Sequence, residues 1–281
     1  SVINKLYMNN SYQIYLVSDS TGETLDRIFI ALKAQFKNFN YETSHFSFTR
    51  TENQVSKILE TCKKHKNSII LYTVVDDKLE KFLTIKAGKL KIPCFGVLGN
   101  LILSFSKLLN QEALHIPSRQ HVLNDEYYQR IEAIQFTMNH DDGNSTKDIQ
   151  KSDIILLGVS RTSKTPTSIY LANKGYKVSN IPLVNENSIP DLIKKNTNKN
   201  CVVGLIVEPE RLIEIRKTRM NTLKEIRGKN YTNLLKIKEE VKKSKKTFQK
   251  YKWPTINVSR KSVEETAASV IKMYEIKKKN V

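Results

Sequence analysis

Residues 158–165 have the types and the spacing of a loop that holds phosphate. They read GVSRTSKT and follow the apolar run DIILL, which predicts a buried strand. Such a loop needs converging backbone N–H groups, a lysine that reaches the outer phosphates, and a hydroxyl that meets a metal ion where a helix begins. Gly158 opens the stretch, Lys164 supplies the charge and Thr165 the hydroxyl. The stretch therefore predicts a phosphate-binding cradle, with Thr165 as the metal ligand.

One position departs from the general pattern of these loops. Ser163 stands where glycine normally precedes the lysine, and its side chain restricts the backbone. The alternative is an ordinary strand–loop–helix connection in which Ser160, Thr162 or Ser163 caps the helix. Arg161 favours phosphate, because its guanidinium can fork onto phosphate oxygens. The predicted nucleotide-binding residues are Gly158, Val159, Ser160, Arg161, Thr162, Ser163, Lys164 and Thr165.

Several carboxylates could receive a proton or contact a metal ion. Asp141 and Asp142, in the polar stretch before the cradle strand, are the first candidates for a general base. Asp19, in VSDSTGETLD, is the second candidate. Asp76 and Asp77 end another apolar run and could hold a metal through water. For each of these the alternative is a hydrated or turn carboxylate.

The other polar motifs are more often structural than chemical. Ser20 and Glu23 have capping-box spacing, although small hydroxyls at a helix N-terminus could also bind an anion. His115 and His121 are interpreted as structural. The three cysteines are far apart and form no CxxC pair, which predicts a reducing compartment and no zinc site.

The composition is strongly basic. Lys and Arg number 47 against 28 Asp and Glu, a formal net charge of +19. This charge indicates an anionic partner such as a nucleotide, a nucleic acid or an acidic protein surface; the alternative is a lysine-rich composition spread over solvated faces. No apolar run approaches the roughly 18 residues of a membrane span, and the first ten residues lack the apolar core of a signal peptide. We expect a cytoplasmic protein without a membrane partner.

Apolar strand-like runs alternate with helical patterns along the chain, which predicts an α/β fold of mostly parallel sheets with flanking helices. The polar stretch HDDGNSTKD suggests a boundary between an N-terminal α/β domain, 1–145, and a domain built around the P-loop-like strand–loop–helix, 146–281. The predicted strands are 12–19, 45–49, 68–75, 93–98, 153–158, 176–184, 201–207 and 254–259. The predicted helices are 25–36, 54–64, 79–90, 124–138, 164–174, 209–226, 231–249 and 262–278.

Longer stretches carry a resemblance that covers nearly the whole chain. They are SDSTGETL, HVLNDEYYQRIEAIQF, HDDG, GVSRTSKTPTSIYLANKGYKVSNIPLV, RLIEIRKTRM and WPTINVSRKSVEETAA. Together they resemble the bifunctional regulatory proteins of pyruvate, phosphate dikinase and of phosphoenolpyruvate synthase, in which serine before the lysine is the family's own pattern. One departure is Asn257-Val258-Ser259, where the family tends to have Asp-Val-Thr; we interpret Asn257 as structural.

The resemblance implies a serine/threonine kinase that uses ADP, with a divalent metal such as Mg²⁺, to phosphorylate an active-site threonine of the dikinase. It also implies the reverse activity, in which inorganic phosphate attacks the phosphothreonine and pyrophosphate is released. Lys164, Arg161, Asp141 and Asp142 are then the predicted catalytic residues. A fold of this kind is compatible with a homodimer.

Three alternatives remain open at this point. The same activity could act on phosphoenolpyruvate synthase. The chain could instead be an ATP-dependent P-loop kinase of small molecules. It could also be a basic nucleic-acid-binding protein, although no recognisable reader motif supports that.

Overall fold

The structure, a computed structural model, describes residues 11–121, 123–143, 148–195, 200–223 and 229–279. The chain divides into two compact units, Ser1–Val122 and Leu123–Val281. The boundary predicted from the sequence, at 145/146, lies beyond the helix Asp125–Asn139, which belongs to the second unit. That helix packs on the helix and the strand that follow the phosphate loop, and these contacts place it there.

The first unit is a four-stranded parallel sheet in the order β2-β1-β3-β4. Alternate residues of β1 face opposite sides, so Tyr15 and Val17 enter one apolar cluster and Ile14 and Leu16 another. The strands are β1 Tyr12–Ser18, β2 Tyr41–Phe46, β3 Ser68–Thr73 and β4 Cys94–Gly96. The helices are α1 Glu23–Lys33, α2 Glu52–Cys62, α3 Asp77–Lys89 and α4 Gly99–Leu109, followed by a 3₁₀ turn, Arg119–His121.

The second unit is another four-stranded parallel sheet, in the order β6-β5-β7-β8. Its central strand β5 is buried on both faces, which is why its sequence is a continuous apolar run. The strands are β5 Ile154–Gly158, β6 Val178–Pro182, β7 Cys201–Ile206 and β8 Thr255–Asn257. The helices are α5 Asp125–Asn139, α6 Lys164–Ala172, α7 Asp191–Lys195, α8 Pro209–Leu223, α9 Leu234–Lys250 and α10 Val263–Lys279.

The predicted α/β class and parallel sheets are confirmed, with differences in detail. The second strand runs over 41–46 and not 45–49. Helix α4 was not predicted, because its run LILSF reads equally well as a strand. Helix α7 was missed because five residues are too few for a periodic signal. Among the described residues, no helix has both the length and the apolar character needed to cross a membrane.

Candidate active site

The site begins where β5 ends, at Gly158. This strand lies between β6 and β7, so its carboxyl end opens at the centre of the sheet edge where ligands of such sheets bind. A Cβ atom on Gly158 would lie 2.5 Å from Thr162 Oγ1 and 2.9 Å from the carbonyl oxygen of Leu205. Only glycine therefore allows the loop to fold back this closely on the strand.

The loop backbone adopts left-handed conformations at Arg161, with φ of 74°, and at Ser163, with φ of 59°. Thr162, fully buried, donates from Oγ1 to the carbonyl oxygen of Val159 at 2.9 Å and so ties the turn together. Ser163 is the N-cap of α6, and no side chain accepts a hydrogen bond from the first turn of that helix. The alternative in which Ser160, Thr162 or Ser163 caps the helix is therefore wrong.

Lys164 is the first residue of α6 and is only 5% exposed. Its Nζ donates to the carbonyl oxygen of Val159 at 3.1 Å. Burial lowers the pKa of Lys164 to about 8, against the opposing effect of the Asp142 and Asp141 carboxylates. The ammonium group is thus charged at neutral pH but has a neutral carbonyl as its hydrogen-bond partner, and an anion would stabilise it more.

Asp141, Thr165 and Asn180 form a hydrogen-bonded cluster beside the loop. Thr165 Oγ1 donates to Asp141 Oδ1 at 3.0 Å, and Asn180 Nδ2 donates to the same carboxylate. Asn180 Nδ2 also lies 3.2 Å from Thr165 Oγ1. The structure thus brings the predicted metal ligand Thr165 and the predicted carboxylate Asp141 into direct contact.

Asn180 is a residue that the sequence analysis missed. It sits in the middle of β6, is completely buried, and its Oδ1 has no hydrogen-bond partner within the described residues. The sequence did contain a signal for Asn180, since it is a polar residue inside the apolar stretch VSNIPLV. A buried polar side chain usually has a specific hydrogen-bond partner, so such a residue is a candidate for a site. Asn180 turns its Nδ2 towards Asp141 and Thr165. The oxygens beside it come from the Asp141 carboxylate and the Thr165 hydroxyl, the kind of ligand that Mg²⁺ prefers, so these two residues fit a divalent cation.

A cavity of about 680 Å³ opens beside the loop. The loop side chains, Lys164 among them, form one wall, and α8 forms another. Asp142, held in a left-handed conformation with φ of 52°, also lines it. The cavity is large enough for a nucleotide-sized ligand.

The buried side chain of Arg216, on α8, stabilises the loop through the backbone of Ser160. It is 1% exposed, its Nη2 lies 3.3 Å from the carbonyl oxygen of Ser160, and it pairs with Glu240 Oε2 at 2.7 Å. Its guanidinium lies 4.7 Å from the centre of the Tyr231 ring. These contacts fix the position of the Ser160 carbonyl oxygen and so stabilise the conformation of the loop.

Tyr231 completes this support. Its hydroxyl lies 3.4 Å from Ser160 Oγ and 3.3 Å from Arg161 Nε. Burial alone would raise the pKa of Tyr231, but hydrogen bonds with Ser160 and Arg161 and the nearby guanidinium charges outweigh burial and lower it. Neither Arg216 nor Tyr231 was singled out from the sequence, since both lie far along the chain from the loop.

The weaker candidates of the first unit have structural roles. The predicted capping box of Ser20 and Glu23 is wrong, since Gly22 is the N-cap of α1 and no side chain caps it. Asp76 caps α3 by accepting from the N–H of Leu79 at 2.8 Å. Asp19 is buried and accepts from the N–H of Val75 at 2.7 Å, and burial raises its pKa.

The histidines and Asn257 also have local hydrogen bonds. His115 Nδ1 lies 2.7 Å from the Val75 carbonyl oxygen and 3.2 Å from Asp77 Oδ1. His121 Nε2 lies 3.3 Å from Thr21 Oγ1. Asn257 Oδ1 accepts from the N–H of Ser259 at 3.0 Å, and so holds the turn after β8. That contact agrees with a structural role for Asn257.

A family model described as Kinase/pyrophosphorylase matches residues 14–271, which include both strand–loop–helix connections and the cavity. The chain belongs to this family. A relative in Pelagibacter ubique, strain HTCC1062, is 68% identical over 97% of this chain and 100% of its own length. A relative in Erythrobacter litoralis is 41% identical over 93% of each chain. Both are provisionally named pyruvate, phosphate dikinase regulatory proteins, and the Kinase/pyrophosphorylase family is one of phosphotransferases.

Proposed function

We propose that this chain is a bifunctional serine/threonine kinase and phosphorylase that regulates pyruvate, phosphate dikinase in the cytoplasm. The names of the relatives and the family description support this proposal. The main structural support is the buried ammonium group of Lys164, which lies at the start of α6 beside helix N–H groups that no side chain caps. Such an arrangement binds the phosphates of a nucleotide, because several donors and one charge face the same anion.

In the kinase direction the threonine Oγ of the dikinase attacks the β-phosphorus of ADP. The bond from the β-phosphorus to the bridging oxygen breaks, AMP leaves with that oxygen, and the threonine proton goes to a base. In the phosphorylase direction an oxygen of inorganic phosphate attacks the phosphothreonine phosphorus, and the bond from that phosphorus to the threonine Oγ breaks. The Oγ takes up a proton, so the products are pyrophosphate and the unmodified threonine side chain of the dikinase. Both are phosphoryl transfers, which depend mainly on alignment and on stabilisation of charge.

The loop supplies most of that stabilisation. The N–H groups of residues 159–163 and the ammonium of Lys164 would bind non-bridging phosphate oxygens, and Arg161 adds a guanidinium at the cavity wall. Lys164 would exchange its bond to the Val159 carbonyl for a phosphate oxygen. Because these groups are fixed by Gly158, Arg216 and the turn itself, little reorganisation is needed during the reaction.

Thr165 and Asp141 are the residues that would hold Mg²⁺. The Thr165 hydroxyl donates its proton to Asp141 and accepts from Asn180 Nδ2, which leaves one lone pair of its oxygen for a cation. A bound Mg²⁺ would neutralise charge on the phosphates. Asn180 keeps the Asp141 carboxylate in place.

The two candidate bases, Asp141 and Asp142, have different surroundings. The Asp141 carboxylate accepts hydrogen bonds from Thr165 and Asn180. Asp142 lines the cavity, where a hydroxyl of the protein substrate would enter. We therefore assign Asp142 as the group that receives the threonine proton and Asp141 as the group that orients Thr165.

The test uses purified dikinase, phosphoenolpyruvate and either ADP or ATP as the donor. We expect a phosphothreonine by mass spectrometry with ADP and Mg²⁺, and pyrophosphate when inorganic phosphate is then added. A parallel incubation with phosphoenolpyruvate synthase identifies the client. Phosphorylation with ATP alone, or of a small molecule in place of either protein, would contradict the proposal.

A further inference from the structure

The cavity beside the phosphate loop has a second cationic wall, which the loop residues do not form. Helix α8 runs along it and presents Arg211, Ile215 and Arg219, which are four residues apart and so lie on one face of the helix. Glu214 of the same helix also lines the cavity and pairs with Arg211. The loop wall already has its own cation in Lys164. Positive charge thus faces the cavity from two elements.

The two arginines of this wall differ in their partners among the described residues. Arg211 Nη1 lies 2.8 Å from Glu214 Oε2, so Arg211 has a carboxylate as its partner. The Thr218 hydroxyl donates to the Glu214 carbonyl oxygen at 2.9 Å, so its proton is already used. Arg219 has neither an ion pair nor a hydrogen bond to any residue that the structure describes.

The loop and α8 line the 680 Å³ cavity from two separate elements. A diphosphate held by the loop would place its charge at the loop wall. The guanidinium of Arg219, at the other wall, is suited to a second phosphoryl group, because its planar fork matches two phosphate oxygens.

We propose that Arg219 binds the phosphoryl group of the second reactant, so that the cavity holds two phosphate-bearing groups at once. This inference rests on the proposed function. The second group is a phosphoryl oxyanion that comes either from free inorganic phosphate or from a phosphorylated side chain of the protein substrate. The nucleoside diphosphate itself binds at the loop and does not depend on Arg219.

The experiment compares the wild-type chain with Arg219→Ala, Arg219→Lys and Lys217→Ala. Lys217 is the matched control, since it is exposed on the same helix and does not line the cavity. ADP affinity is measured by calorimetry. The KM for dikinase in phosphorylation and the KM for inorganic phosphate in pyrophosphate formation are measured for each variant, with circular dichroism as the check on folding.

We expect Arg219→Ala to bind ADP as the wild type does and to raise one of the two KM values roughly tenfold or more, the effect of losing a charged hydrogen bond. Arg219→Lys should lie in between, and Lys217→Ala should match the wild type. A higher KM for inorganic phosphate identifies the free anion as the ligand, and a higher KM for dikinase identifies the phosphorylated side chain.

Two results would overturn the inference. In one, Arg219→Ala behaves like Lys217→Ala in both directions. In the other, Arg219→Ala weakens ADP binding in step with activity, which would place the nucleotide against α8. If the wild-type chain binds no ADP at all, both the proposed function and this inference are wrong. Failure of the Arg219 inference alone leaves ADP binding by the wild type intact, so the two outcomes can be told apart.

Discussion

The two units have the same strand order, yet only one of them has a lysine where the first strand leads into a helix. In each unit the chain's first strand is central, with the second on one side and the third on the other. In each, the following helix begins after a left-handed residue, Gly22 or Ser163, with no side-chain cap. Both connections therefore place free helix N–H groups at the point in the sheet where ligands bind.

The side chains around these two helix starts differ in charge and in the room they leave. In the first unit the buried charged group is Asp19, and the adjoining cavity measures about 140 Å³. In the second unit it is Lys164, and the cavity measures about 680 Å³. The comparison teaches that two sheets of the same strand order can surround their first helix start with buried groups of opposite charge and with cavities of different volume. Under the proposed function, these two differences confine the nucleotide to the second unit.

Replacing Lys164 with alanine should have the largest effect. We expect both transfer directions to fall by roughly a thousandfold, because the main positive charge at the loop is lost. Asp19→Asn, the corresponding change in the first unit, should leave both rates close to those of the wild type. The rates are measured with dikinase, and melting curves verify folding. Equal losses in the two variants would remove the functional distinction between the units.

The glycines of the two connections, Gly158 at the end of β5 and Gly22 at the start of α1, should differ in the stability they provide. Gly158→Ala is expected to lower the free energy of unfolding by about 3 kcal/mol, since the new Cβ meets backbone and a buried side chain. Gly22→Ala should cost about 1 kcal/mol, for the left-handed φ of 89° alone, because its nearest atom, Ser47 Oγ, is 3.4 Å away. Urea titrations of both variants measure the difference, and a larger loss at Gly22 would contradict it.

Affinity for ADP should depend on pH through Lys164. Its pKa of about 8 in the free protein means that the ammonium loses its proton above that pH. A bound phosphate stabilises the charged form and raises the pKa, so binding above pH 8 requires proton uptake. We expect affinity to be constant near pH 7 and to fall by up to roughly tenfold per pH unit above 8. Calorimetry across this range tests it, and Lys164→Ala should show no such slope.

Ser163→Gly should have the smallest effect. Serine holds a left-handed φ of 59° that glycine adopts without strain, while glycine also gains freedom in the unfolded chain. The expected net gain in unfolding free energy is therefore about 0.5 kcal/mol, with ADP affinity unchanged. Ser163→Ala is the control and should gain nothing. A loss of stability in the glycine variant would show that the serine side chain itself supports the loop.

The sequence by itself determined the α/β class, seven of the strand positions, and the loop from Gly158 to Thr165. These features are local in the chain: a period of two or of 3.6 residues, a glycine at a strand end, a lysine six positions later. Helix α4 was not predicted, because a short apolar run has no distinctive period. The capping of α1 was predicted wrongly, because the N-cap residue is Gly22, and Ser20 and Glu23 do not form a capping box.

Only the tertiary structure decided which distant residues complete the site. Asp141 meets Thr165 across 24 positions, and Tyr231 meets Arg161 across 70. No sequence motif links Asn180 or Arg216 to the loop. Helix α8 follows β7 in the chain, and it lines the cavity because β7 lies next to β5 in the sheet. The physical reason is that hydrogen bonds and buried charges act over a few ångströms in space, and that neighbourhood exists only once the sheet has brought separate stretches of chain together.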